Sequence, residues 1–181
     1  MLSVWLTARQ HIACWPIGLV NVTLSGIVFV EAKLYADAGL QAVYFALCAY
    51  GWWAWLHGGE DHGPLLVEHA PRRMLALGGL AGVAGLLVLG GFFSNATDAA
   101  LPWLDSTLTA FSLVAQWLMT RKWIENWAVW ICVDVAYVGM YELKLLHGMA
   151  LLYALFLVLC VVGRRSWAAS LARPVEISSA A

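Results

Sequence analysis

Five residues between Trp127 and Tyr141 share one side of a helix: Trp127, Trp130, Asp134, Tyr137 and Tyr141, spaced 3, 4, 3 and 4. The stretch that carries them, ENWAVWICVDVAYVGMY, otherwise reads as a membrane span. A carboxylate at bilayer depth costs about 3 kcal/mol on insertion scales, so an acid kept there asks for a purpose. Set among aromatic rings, it suits a flat cationic ligand, with ring faces for stacking and cation–π contact and one counter-charge. The structural alternative is an interhelical hydrogen bond made by a protonated Asp134 or by its pairing with a Ser, Thr or Gln.

Three further polar stripes accompany this one. Asp105, Thr109, Ser112 and Gln116 recur at spacings of 4, 3 and 4, and lipid cannot satisfy such groups, so that face must look inward. Asn21 and Ser25 share a helix face, with Trp15 on the same segment, and Gln41, Tyr44, Cys48 and Trp52 run down another. From these stripes the candidate substrate-binding residues are Asp134, Trp130, Tyr137, Trp127, Gln41, Tyr44, Asn21, Gln116 and Trp52. No catalytic residue, metal ligand or cofactor is assigned. The loop LHGGEDHGPLLVEHAPRR holds His57, His62 and His69 beside Glu60, Asp61 and Glu68, but the spacing fits no standard metal-ligand set and reads as a solvated loop. LGGLAGVAG lacks the preceding strand and following Lys of a phosphate loop.

The elements that must position these residues are membrane helices. Hydrophobic residues form 62% of the 181-residue chain and charged residues 12%, against about a quarter in soluble domains, and the mean hydropathy is +0.77. An all-α integral membrane protein with almost no extramembrane domain follows, and a net charge of −1 gives no reason to expect a nucleic-acid partner. Its partners are a small molecule and the lipid bilayer. Cys14, Cys48, Cys132 and Cys160 lie within apolar runs without a CxxC and read as packing residues with free thiols. Spans are predicted over Ile12–Val30, Ala38–Leu56, Met74–Phe93, Pro102–Thr120 and Ile124–Tyr141, with a shorter one at Gly148–Val162. The uncharged, glycine-rich Met74–Phe93 suits close helix packing.

The chain also repeats. At a shift of 112, Trp5, Leu6, Arg9, Ile12 and Trp15 meet Trp117, Leu118, Arg121, Ile124 and Trp127. At 111, EAKL from Glu31 meets ELKL from Glu142, and at 109 Gly39 and Tyr44 meet Gly148 and Tyr153. The expected organisation is a first three-helix repeat over 1–56, a polar loop and linker helix over 57–101, a second repeat over 102–165 and a tail over 166–181. Met1 then falls in the middle of a helix, so the first span is expected to be incomplete, short by about ten residues on the repeat's own register. Arg9, Arg72, Arg73, Arg121, Lys122, Arg164, Arg165 and Arg173 gather on one side and Lys33 and Lys144 on the other, which sets the Arg-rich side and the C-terminus in the cytoplasm. Such parallel repeats, joined by one helix, commonly build transporters with a site between the units.

RKWIENWAVWICVDVAYVGMYELKLLHGMALLYALFLVLCVVGRRSW resembles the C-terminal signature of the PnuC family of B-vitamin transporters. CWPIGLVNV and AKLYADAGLQAVYFALCAYGWWAW resemble its N-terminal motifs. The resemblance implies a SWEET-like fold of seven spans in a 3+1+3 arrangement, a bacterial inner-membrane location and a homo-oligomer, often a trimer. It also implies facilitated uptake of an unphosphorylated vitamin precursor, nicotinamide riboside above all, trapped afterwards by cytoplasmic phosphorylation; relatives carry thiamine or riboflavin. The family's Trp-x-x-x-Asn motif stands here as Trp130-x-x-x-Asp134. Nicotinamide riboside and thiamine are both permanently cationic and suit a carboxylate there better than neutral riboflavin does. A membrane-embedded enzyme using Asp134 and Glu125, or a purely structural protein, are the readings from other classes.

Overall fold

In the computed structural model, which describes residues 1–96 and 101–172, seven α-helices follow one another and no strand is formed among those residues. They are α1 (Leu2–Ala8), α2 (Cys14–Glu31), α3 (Tyr35–His57), α4 (Arg72–Ala96), α5 (Pro102–Thr120), α6 (Asn126–Leu143) and α7 (His147–Leu171). The stretch after Arg173, expected to be tail, lies outside the described residues. By length and composition alone, Cys14–Glu31, Arg72–Asn95 and His147–Leu171 are long and apolar enough to cross a membrane. Helices α3, α5 and α6, expected as spans, carry the polar stripes that lower their hydropathy.

Packing follows the repeat. Helix α2 packs on α3 as α6 packs on α7, α1 meets α2 as α5 meets α6, and α1 touches α7 as α5 touches α3. Helix α4 falls outside this exchange and packs along α5, with Gly78, Gly82 and Gly85 against Val114, Phe111 and Ala110.

Helix ends obey the same correspondence. Gln10 and Lys122 adopt left-handed backbone (φ 56° and 51°) after α1 and α5, and Lys33 and Leu145 do so (59° and 56°) after α2 and α6. In each case the next residue's N–H reaches back five residues, as from His11 to the Leu6 carbonyl (2.9 Å) and from Trp123 to that of Leu118 (3.2 Å). This closing bond satisfies a carbonyl the helix leaves open and reverses the chain without a glycine. The offset stays at 112 from α1 to α7. The expected shortenings to 111 and 109 are therefore not realised, and Tyr44 corresponds to Phe156 rather than Tyr153.

One departure concerns the end of an element. Helix α7 runs past Arg164 and Arg165 to Leu171, so residues 166–171 continue the helix instead of starting a tail, and Trp167 is fully buried. Both arginines are exposed. The α3–α4 loop keeps His57, Glu60, Asp61, His62, Glu68 and His69 exposed, as expected of a solvated loop, while residues 65–70 dock as a strap on the α5–α6 turn. Glu68 forms an isolated bridge with Trp123, the Lys122 ammonium donates to the Leu65 carbonyl (2.7 Å), and Glu125 binds both the His69 ring (2.8 Å) and the Ala70 N–H (2.9 Å).

Candidate functional site

A cavity of about 630 Å³ lies between the helices, lined by residues of α1, α2, α3, α5, α6 and α7. It brings together seven of the nine candidates: Asp134, Trp130, Tyr137, Trp127, Tyr44, Asn21 and Gln116. The other two point elsewhere. Gln41 lies in a shallower groove between α2 and α3, against Gly26, and Trp52 is exposed on the outer surface. The inward face of α3 passes through Leu40, Tyr44 and Cys48. At about 100° per residue, Gln41 and Trp52 stand roughly 60–80° round the helix from Tyr44.

Asp134 is 3% exposed and sits on α6 facing α7, where the Cys160 thiol donates to its Oδ2 at 3.2 Å. The ion pairs among the described residues are His69–Glu125, Lys144–Asp105 and His147–Glu142, and none reaches Asp134. Among the described residues, no Lys, Arg or His lines the cavity. Asp105, the first member of the α5 stripe, is thus spent on Lys144 at 3.7 Å, while Ser112 and Gln116 face the cavity. Gln116 in turn donates to the Cys48 sulfur at 3.7 Å.

Rings stand on the same side as the acid. Tyr137 stacks on Tyr141 (centroids 5.8 Å, 14° between planes) and lies 4.4 Å from Tyr153, which meets Phe156 edge-on at 5.8 Å. Of these, Tyr153 and Phe156 line the cavity and were not among the candidates. Carrying the 112 offset without gaps pairs Tyr44 with Phe156 and Cys48 with Cys160, and the 3-then-4 spacing of Tyr153, Phe156 and Cys160 then marks the inward face of α7. Chemically the arrangement can hold a flat molecule against tyrosine and tryptophan faces, balance a positive charge at Asp134, and offer Asn21, Ser112 and Gln116 for hydrogen bonds.

Toward the ends of α1 and α5, where Thr7 and Met119 lie, the cavity is lined by Trp15 and Trp127. Each indole lies across a glycine of the neighbouring helix, Trp15 on Gly51 and Trp127 on Gly163, where any Cβ would overlap the six-membered ring. Trp15 meets Trp55 edge to face (5.3 Å, 88°), Trp127 meets Trp167 likewise (5.4 Å, 89°), and Trp55 meets Trp167 at 5.9 Å.

The family model described as nicotinamide mononucleotide transporter matches residues 1–169. The chain is 31% identical to the nicotinamide riboside transporter PnuC of Escherichia coli (strain K12), over 92% of this chain and 80% of that protein. It is 29% identical to the riboflavin/roseoflavin transporter RibM of Streptomyces davaonensis, over 92% and 79% respectively. Among solved structures it is similar to the crystal structure of the vitamin B3 transporter PnuC, with a TM-score of 0.71 and 25% identity, covering 94% of this chain and 77% of that one.

Proposed function

The chain belongs to the nicotinamide mononucleotide transporter family, a family of multi-pass membrane transporters and not of enzymes, and from that premise we propose that it carries nicotinamide riboside across the membrane by facilitated diffusion. The observation that carries the choice of substrate is Asp134, a buried carboxyl with no cationic partner in a cavity walled by aromatic rings. The pyridinium ring of the riboside stacks on those rings while Asp134 balances its charge, and Asn21 and Gln116 bond the hydroxyls and the amide. The same inventory disfavours the phosphorylated mononucleotide. A cavity holding a carboxylate and no Lys, Arg or His offers a phosphate dianion repulsion without compensation. Uptake of the uncharged-tail riboside is then made one-way by phosphorylation in the cytoplasm.

In this reading α1–α3 and α5–α7 are two parallel three-helix units in a 3+1+3 arrangement, with α4 as the linker. The Arg-rich turns and the C-terminus face the cytoplasm, the location is a bacterial inner membrane, and the chain assembles as a homo-oligomer, such as a trimer. Thiamine, also a fixed cation, is the alternative cargo on the same counter-ion argument, and the similarity to RibM puts riboflavin on the panel. Calorimetry on the purified protein separates them: nicotinamide riboside is expected to bind, and its mononucleotide and riboflavin are not. Asp134→Asn is expected to weaken riboside binding by about 10–100-fold, roughly 1.4–2.8 kcal/mol. Unchanged binding and uptake in that variant would remove Asp134 from the site.

A further inference from the structure

Trp15 and Trp127, which line the cavity, are the ends of a chain of four tryptophans, Trp15–Trp55–Trp167–Trp127, whose two halves correspond at the 112 offset. All four are buried. Its central contact, Trp55 on Trp167, joins α3 of one unit to α7 of the other. Both central indoles also donate across the divide. Trp55 Nε1 reaches the Met119 carbonyl at the end of α5 (3.1 Å), and Trp167 Nε1 reaches the Thr7 carbonyl in α1 (3.0 Å). Thr7 and Met119 are themselves 112 apart, so the two bonds are counterparts of one another.

The outer pair differs. The Nε1 of Trp15 and that of Trp127 are buried and find no hydrogen-bond acceptor among the described residues. A closed layer that leaves two indole donors unsatisfied is one that water or a ligand can relieve once it opens. The Lys122 ammonium lies 4.5 Å from the Trp55 ring centroid and is tied to the strap at Leu65, so the layer is backed on its far side by the docked α3–α4 loop.

We propose that this tryptophan layer is the barrier of the transport pathway on the Arg-rich side, closed in this structure, and that the crossing bonds of Trp55 and Trp167 are the contacts that must break for substrate to leave there. The inference rests on the transporter reading but not on the identity of the cargo. Because each bond has its donor on one unit and its acceptor on the other, rocking the units apart stretches both at once. Trp55 and Trp167 therefore set the rate of opening, whereas the cavity residues above set binding.

Three cavity thiols, Cys14, Cys48 and Cys160, report the barrier, once the exposed Cys132 is replaced by serine. In proteoliposomes of Cys132→Ser protein, a membrane-impermeant maleimide is expected to label these thiols slowly from the face bearing Arg72 and Arg121, and at least tenfold faster from the opposite face. Adding Trp55→Phe and Trp167→Phe keeps a smaller aromatic ring at each place and removes the crossing donors. It is expected to raise labelling from the Arg-rich face at least tenfold while riboside binding stays within about threefold. Unchanged labelling in the folded double variant overturns the role of the bonds. If the double variant does not fold, either single variant supplies the same readout. Equal labelling from the two faces of the Cys132→Ser protein, which needs no tryptophan change and no substrate, overturns the barrier itself. No riboside binding by the Cys132→Ser protein, with labelling as expected, would count against the cargo and leave the barrier standing.

Discussion

At the scale of single residues, Asp134 depends on Cys160. The thiol is a weak donor, yet among the described residues it is the hydrogen bond given to this carboxyl, and it comes from the facing helix. Cys160→Ser keeps a donor of nearly the same reach, so riboside affinity is expected to stay within about threefold. Cys160→Ala removes it and frees the carboxyl to turn, for an expected loss of about three- to tenfold, roughly 0.7–1.4 kcal/mol by calorimetry. The acid itself was legible in the sequence because a charge inside an apolar run is conspicuous, and its aromatic neighbours because their spacing kept one face. Gln41 and Trp52 were misplaced by the same method. A stripe read from polar and aromatic types alone runs through both, while packing centres the inward face on Tyr44 and continues it through the small Gly51, which no polarity pattern flags.

At the scale of elements, Gly51 and Gly163 fix how closely α2 approaches α3 and α6 approaches α7, since each lets an indole lie on bare backbone. Alanine at either position is expected to push that tryptophan aside and cost about 1–3 kcal/mol, seen as a lowered thermal midpoint in detergent. The two losses should be similar, because the surroundings correspond. The strap carries a pH dependence of its own. Burial alone raises the Glu125 carboxyl, but the Ala70 N–H and the His69 ring outweigh it and leave the group below its ordinary value. A depressed carboxyl gives stability that is fully present above its unfolded value and is lost as pH falls through the folded one. Acidification below the ordinary glutamate range is thus expected to loosen the strap, followed as faster amide hydrogen exchange over residues 65–70. Glu125→Gln should show that faster exchange already at neutral pH and lose most of the acid dependence. None of this docking was readable beforehand, because the contacts join segments about 55 residues apart and loop polarity says only that water is tolerated. The end of α7 was hidden for another reason. Arg164 and Arg165 look like the close of a span, and only the correspondence of Trp55 with Trp167 shows that the helix must run on.

At the scale of the molecule, a near-symmetric frame holds a one-sided site. The repeat was legible because Trp, Arg and Ile recur in order, and the helix ends, turns and tryptophan layer all keep the 112 offset. The cavity keeps it in position but not in residue type. Asp134 corresponds to Val22, Trp130 to Gly18 and Tyr137 to Ser25, so the acid and the rings beside it on α6 have no counterparts on α2. Val22 does line the cavity, which makes the asymmetry testable by moving the charge across it. Asp134→Val is expected to lose riboside binding as Asp134→Asn does. Adding Val22→Asp restores a carboxylate to the corresponding depth but faces it with Gly18 and Ser25 in place of rings. The double variant is therefore expected to stay within about threefold of Asp134→Val by calorimetry. A recovery of tenfold or more, about 1.4 kcal/mol, would mean that charge at this depth suffices and that the tyrosine and tryptophan faces contribute little to recognition. If the recovery fails as expected, charge and rings must come from the same helix, with Asn21 and Tyr44 of the first unit completing the cavity wall opposite them.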